Sequence, residues 1–211
     1  MKLAKVRHDY RCPPLAERSA PADPLALFRR WMRAALRAGL HEPTAMALAT
    51  ADLRGRPAVR FVLLKEADAR GFTFFTNYDS AKGRALAANP RAALTPWWPG
   101  LERQVRIEGR VARVTAAESD AYFALRPRGA RLGAWASPQS RRVADRAALE
   151  RGLAHVEAHY EGREVPRPAN WGGYRISAAS IEFWQGRPDR VHDRLFYRRA
   201  RGCWTHHRLA P

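Results

Sequence analysis

The chain has 211 residues, 46% of them hydrophobic, and a formal net charge of +18 from 38 Lys and Arg against 20 Asp and Glu. This length and apolar content predict one globular domain with a sizeable core and exclude a disordered chain. No apolar run approaches the ~20 residues that span a bilayer, and none follows the basic N-terminus, so the reading is a soluble, cytoplasmic protein without a secretory signal. Cys12 and Cys203 make neither a disulfide framework nor a metal motif.

Such a charge ordinarily points to nucleic acid. Here 34 of the basic residues are arginine, spread along the whole chain. The charge therefore reads as a compositional drift and is set aside as evidence for nucleic acid. Only Lys2, Lys5, Lys65 and Lys82 resist the drift. Lys65 and Lys82 are read as places that need a compact ammonium, with chance survival as the plain alternative.

Residues 1–22 are polar, carry Pro13, Pro14 and Pro21, and read as an arm; residues 23–211 read as a single domain. Asp23-Pro24 is a helix start, followed by Leu25, Phe28, Trp31, Met32, Ala35 and Leu36 at helical spacing up to Gly39. Strands are predicted at 45–51, 57–65 and 72–76. Ser80 caps a short helix that stops by Asn89-Pro90. Further strands are predicted at 92–97 and 102–114. Thr115-Ala116-Ala117-Glu118 is a capping box that opens a helix through Leu125. Residues 126–142 read as a loop, 145–160 as an amphipathic helix, and strands fill most of 173–208. This order predicts the α+β class, an antiparallel barrel with helices around it.

The most informative stretch is Ile181-Glu182-Phe183-Trp184-Gln185-Gly186 with Arg190-Val191-His192-Asp193-Arg194. Read as a strand, the second part puts Arg190, His192 and Arg194 on one face, a candidate site for a phosphorylated ligand. A solvated edge strand is the plain alternative. His155 and His159 have a zinc-compatible spacing but no third ligand, so a surface helix is preferred. Leu101-Glu102-Arg103-Gln104-Val105-Arg106 suits an interface better than bare solvent. Pro96-Trp97-Trp98-Pro99 reads as core rather than as a wall for a planar ring. No Walker or dinucleotide glycine loop is present.

Taken in order, Arg7-His8-Asp9-Tyr10, Ala22-Asp23-Pro24-Leu25, Pro43-Thr44-Ala45-Met46, Val62-Leu63-Leu64-Lys65, Leu101-Glu102-Arg103-Gln104, Gly133-Ala134-Trp135, Trp171-Gly172-Gly173, Ile181 to Gly186 and Arg208-Leu209-Ala210-Pro211 resemble the pyridoxine/pyridoxamine 5′-phosphate oxidase family nearly end to end. The resemblance implies a split β-barrel homodimer with two FMN sites at the subunit interface. It implies oxidation of pyridoxamine or pyridoxine 5′-phosphate to pyridoxal 5′-phosphate, with hydride passing to the flavin and dioxygen converted to hydrogen peroxide. Carried over by position, the flavin contacts are Arg60, Phe61, Val62, Leu63, Leu64, Lys65, Phe75, Thr76, Lys82, Gln104, Gln139, Ser140, Trp184 and Arg194. The vitamin phosphate falls to Lys65, Tyr122 and Arg126. Arg190 and His192 bracket the pyridine ring as the catalytic pair, and Arg7 with Tyr10 closes over it.

Three positions depart from the pattern: Ala81 and Ala130 replace a phosphate-binding arginine and serine, and His8 replaces an arginine. Arg60 and Lys65 have opposite strand parity, which a bulge, a strand end or a site split between subunits would resolve. Two rivals remain: another split-barrel flavoprotein, and a nucleic-acid-binding protein betrayed by strongly salt-dependent affinity.

Overall fold

The computed structural model of the chain describes residues 1, 3, 5 and 9–211. Helix α1 (Pro24–Arg37) begins as the sequence predicts: the Asp23 carboxylate accepts the Leu25 N–H, and Pro24 fills a position that needs no donor. Its apolar stripe, Leu27, Phe28, Trp31 and Ala35, is buried. Next come β1 (Ala45–Ala51), β2 (Pro57–Leu63), β3 (Glu66–Asp68), β4 (Gly71–Asn77), α2 (Ala81–Ala88), β5 (Arg91–Thr95), β6 (Trp97–Trp98) and β7 (Arg103–Arg113). Ser80 caps α2 through the Gly83 N–H. The capping box of Thr115 and Glu118 starts α3 (Ala116–Ala124). The chain then forms α4 (Arg128–Ala136), α5 (Arg146–His159), β8 (Trp171–Gln185), β9 (Asp193–Ala200) and β10 (Cys203–Leu209).

Every ladder is antiparallel, and the strand order is β10-β9-β8-β7-β5-β1-β2. Strand β8 is shared: β4 pairs with its first part, Trp171–Ile176, and β9 with its last, Ser180–Gln185. With β7 along its other edge and a register shift at Glu108/Gly109, the sheet curls rather than lying flat. The end of β2 meets β4 through the Lys65 N–H, which donates to the Thr73 carbonyl at 2.8 Å. The α+β expectation holds. Val105, Ile107, Ile181, Phe183, Leu195 and Tyr197 fill the inside, packed with Phe28, Trp31, Phe72 and Phe74.

Several local expectations need correction. Residues 190–194 do not form one strand: a single 3-10 turn spans Pro188–Arg190, and β9 starts at Asp193. Pro188 has no N–H to give a ladder, and Asp189 and Arg190 have φ of 55° and 64°, which no strand accommodates. Arg190, His192 and Arg194 therefore share no strand face. The predicted loop at 126–142 contains α4. Its Gly129 and Gly133 hide it from local propensity, while buried Leu132 and the Trp135 indole N–H on the Pro166 carbonyl fix it by tertiary contact. Helix α5 forms where predicted but buries no side chain, so His155 and His159 are on a surface helix. Strand β2 ends at Leu63, before Lys65, which removes the parity conflict with Arg60. The tryptophan pair divides: Trp98 is core, whereas Trp97 is 44% exposed.

Candidate functional site

The predicted site residues form two groups on one chain. The first lines a pocket of about 450 Å³. Phe61, Val62 and Leu63 come from the end of β2, Lys65 from just beyond it, Phe75 and Thr76 from β4, Lys82 from α2, Tyr122 from α3, and Arg126 and Gln139 from the segments flanking α4. Phe75, Tyr122 and Trp171 stack as near-parallel rings, with Phe75 and Tyr122 at 4.0 Å and 18°. The Arg126 guanidinium sits 4.6 Å over the Trp171 ring. Its Nη1 is buried with no hydrogen-bond partner among the described residues, a costly condition for a charged donor unless an anion is meant to meet it. Burial pushes its pKa down.

Lys82 is held in place by two acceptors, Thr76 Oγ1 at 3.1 Å and Gln139 Oε1 at 3.0 Å. Its pKa is lowered, first by burial and then by the neighbouring charge of Arg60. Arg60 in turn donates to Thr50 Oγ1 at 2.8 Å and to the Leu48 carbonyl. Among the described residues, no Asp or Glu lines this pocket. Two cations pressed together without a carboxylate are what an anion site requires. Leu64 points the other way, into the core, and Ser140 is exposed beside Gln139 with φ of 67°.

The second group lies across β6, β7, β8 and β9. Trp97 pairs with Gln104, Gln104 with Trp184, and Trp184 with Arg194, so these side chains form one row on one face. On the same face, in the adjacent cross-strand row, Glu182 is 4% exposed. Its Oε1 accepts from Arg194 Nε at 2.7 Å, and Arg106 Nη2 stands 2.8 Å from Oε2. Arg194 also donates to the Ala210 carbonyl. Its pKa is raised chiefly by the bond to Glu182.

Three aromatic rings close the corner. Tyr10 meets Trp184 and His192 edge-on at 5.6 and 5.4 Å, and Trp184 lies 4.6 Å from His192. The Arg187 N–H donates to His192 Nδ1 at 3.1 Å, which leaves Nε2 to carry the proton of the neutral ring. Burial and then the nearby Arg190 charge lower the His192 pKa, favouring that neutral form. Arg190 itself is exposed. Arg7 and His8 lie outside the described residues.

Both groups touch β8, but at opposite ends. Trp171 walls the pocket and Trp184 belongs to the row, roughly 40 Å apart along the strand at about 3.3 Å per residue. Sequence reading gave no role to Trp171 or Glu182. For Glu182 the signal was there: it shares parity with Trp184 and alternates with core Ile181 and Phe183, so its charge had to be matched on the site face.

Comparison with known proteins agrees with this architecture. Residues 32–160 match the family model described as pyridoxamine 5′-phosphate oxidase. Residues 171–211 match the pyridoxine 5′-phosphate oxidase C-terminal dimerisation region. A pyridoxine/pyridoxamine 5′-phosphate oxidase from Pseudomonas paraeruginosa is 58% identical over 211 residues, covering 99% of this chain and 98% of its own. One from Thermosynechococcus vestitus is 60% identical over 210 residues, covering 100% and 99%. Among solved structures, PhzG from Burkholderia lata 383, in complex with tetrahydrophenazine-1-carboxylic acid, superposes with a TM-score of 0.89 at 33% identity, covering 95% of this chain and 99% of that one. The chain belongs to the pyridoxine/pyridoxamine 5′-phosphate oxidase family.

Proposed function

We propose that each active site joins the pocket of one subunit to the Gln104–Trp184–Arg194 row of the other. The chain works as a homodimer, and the separation of its two half-sites along β8 is the reason one chain alone does not suffice. The activity is oxidation of pyridoxine 5′-phosphate, or of pyridoxamine 5′-phosphate with water taken up and ammonia released, to pyridoxal 5′-phosphate, with dioxygen as oxidant and hydrogen peroxide released. The enzyme is flavin-dependent, and FMN is the flavin the donor set suits. Lys82 and Arg60 would hold its phosphate, Phe75 and Thr76 flank it with Gln139 and Ser140, and Gln104, Trp184 and Arg194 would meet the ring. FMN, when bound, supplies the two-electron acceptor and the reaction with dioxygen.

The protein residues bind and orient. Lys65, Tyr122 and Arg126 take the vitamin phosphate, which gives the buried Arg126 Nη1 the partner it lacks. That unmet nitrogen is the observation that carries the phosphate assignment. His192, neutral and oriented by the Arg187 N–H, would shape the ring pocket with Arg190, the side chain placed nearest the reacting carbon. Tyr10 excludes water above them, with Arg7 as its expected companion. Residues 1–22 are thus an arm serving the single domain of 23–211. A cytoplasmic location belongs to the same reading, in keeping with two thiols, Cys12 and Cys203, that form no disulfide.

The test is turnover of the FMN-loaded protein with pyridoxine 5′-phosphate and with unphosphorylated pyridoxine, read as aldehyde and peroxide formed. Oxidation of the phosphate ester alone is expected. Equal rates on both, or a colourless protein that leaves added FMN fluorescence unquenched, overturn the reading. The PhzG structure holds a ligand named without a phosphate; the unmatched Arg126 favours a phosphorylated substrate here.

A further inference from the structure

Glu102 occupies a backbone conformation that favours glycine. It follows the turn Pro99–Leu101 with φ 53° and ψ 39°, the left-handed region, where a side chain is tolerated at a cost. A charged residue kept at such a position calls for a compensating contact. Its main chain is fixed from β8: Gln185 Nε2 donates to the Leu101 and Glu102 carbonyls, both at 3.2 Å, and the Gly186 N–H donates to Glu102 at 2.8 Å. So fixed, the carboxylate reaches the arm. Oε2 accepts the N–H groups of Arg11 at 2.8 Å and Cys12 at 3.1 Å.

The residue before these two is Tyr10. Its ring lies against Gly186, where a Cβ would come within 2.7 Å of Tyr10 Cδ1, so any larger residue would push the ring away. Beyond Cys12 the arm is tied again: Arg187 donates to the Cys12 carbonyl, Asp193 Oδ2 accepts the Leu15 N–H at 2.9 Å, and Arg208 Nη2 donates to the Leu15 carbonyl at 2.9 Å. The Glu102 hydrogen bonds hold the two residues that follow Tyr10, and two residues after Glu102 comes Gln104 of the site row.

We propose that Glu102 is a positioning residue, a clasp that fixes the arm at Arg11 and Cys12 and thereby sets the Tyr10 ring against Trp184 and His192. This rests on the reading of Tyr10 as a substrate-facing lid. At this glycine-favouring position the two hydrogen bonds to the arm offset the backbone cost of a side chain.

The experiment compares Glu102→Gly, Glu102→Gln and Tyr10→Ala as FMN-loaded proteins. Glycine suits the backbone, so Glu102→Gly should melt at or above the parent temperature and bind FMN equally well. Its KM for pyridoxine 5′-phosphate should rise about ten-fold, the loss expected for a hydrogen bond to a charged acceptor, with a smaller fall in kcat. Trypsin should cut after Arg11 faster than in the parent. Glu102→Gln, which keeps one acceptor oxygen, should fall between. Parent-like KM and parent-like trypsin cleavage in both Glu102 variants would overturn the clasp. So would faster cleavage at unchanged KM when Tyr10→Ala raises KM. If Tyr10→Ala leaves KM unchanged while the Glu102 variants release the arm, the lid reading fails and the clasp stands.

Discussion

The two half-sites are both rich in cations but treat charge in opposite ways. Around the pocket, Lys65, Lys82 and Arg126 stand among aromatic and amide side chains, with no carboxylate in the lining among the described residues. At the other end of β8, Arg194 and Arg106 share Glu182, Arg187 pairs with Asp193, and Arg208 bridges Asp193 and Glu17. An arginine whose charge is already matched is held in a fixed orientation and has less charge to offer a ligand. An arginine left unmatched and half-buried is waiting for a ligand's charge. The difference is the physical ground for the proposal that the pocket, rather than the paired arginines at the other end, takes the phosphates.

The sharpest break in that contrast is at Glu182. Glu182→Ala leaves two guanidinium groups facing each other across the sheet. It should destabilise the protein by about 3 kcal/mol, the lower end for breaking a buried ion pair, because Arg106 and Arg194 keep some contact with water. FMN affinity should fall with it as Arg194 loses its orientation. Urea unfolding and flavin titration check both, and an unchanged unfolding midpoint would mean that Glu182 is not what balances this corner.

Arg126 should behave in the reverse sense. Arg126→Met removes an uncompensated buried donor, so unfolding should move to equal or higher denaturant. The KM for pyridoxine 5′-phosphate should rise roughly ten- to hundred-fold, the worth of about 1.5–3 kcal/mol for a charged hydrogen bond. FMN affinity should hold, whereas Lys82→Ala should weaken FMN. A loss of stability in Arg126→Met with KM unchanged would reverse the assignment of the two half-sites.

His192 gives a pH test. Its folded pKa is depressed, so the folded state binds the proton less readily than the unfolded chain. The stabilising contribution is therefore complete above the ordinary imidazole pKa and lost as pH falls from there toward the lower folded value. Protonation also removes the lone pair that accepts the Arg187 N–H. In urea unfolding, the parent should lose stability over that acid window relative to His192→Gln; parallel curves would count against it.

The smallest effect is expected at Ala130. This residue lies in the first turn of α4, not in a mobile loop, so a serine there incurs little ordering cost. Ala130→Ser should lower KM for the phosphorylated substrate by a few-fold, below the ideal value of a charged hydrogen bond, and leave FMN binding alone. No change in KM would place residue 130 away from the phosphate.

Much of this was legible in the sequence where the cause was local. Asp23, Ser80 and the Thr115/Glu118 box start their helices because a capping side chain acts within a turn. The motif residues were legible as a set through family resemblance. Their grouping was not, because register between strands far apart in sequence decides it. Gln104, Trp184 and Arg194 become neighbours only when β7, β8 and β9 pair. The alternation of Arg190, Val191 and His192 imitates a strand, and two left-handed residues after Pro188 override it. Helix α4 was hidden for the opposite reason, since its glycines speak locally and Trp135 and Leu132 act at a distance.

If each active site joins the two ends of β8 from different subunits, as proposed, it is a shared possession, and shared possessions can be restored by exchange. A subunit carrying Arg126→Ala still has an intact row, and one carrying His192→Ala still has an intact pocket. Each homodimer has two defective sites. Unfolded together and refolded as a mixture, half the dimers would be hybrids, each pairing the sound pocket of one chain with the sound row of the other. About one quarter of parental activity should return under random pairing of this isologous kind, from two chains that separately have almost none.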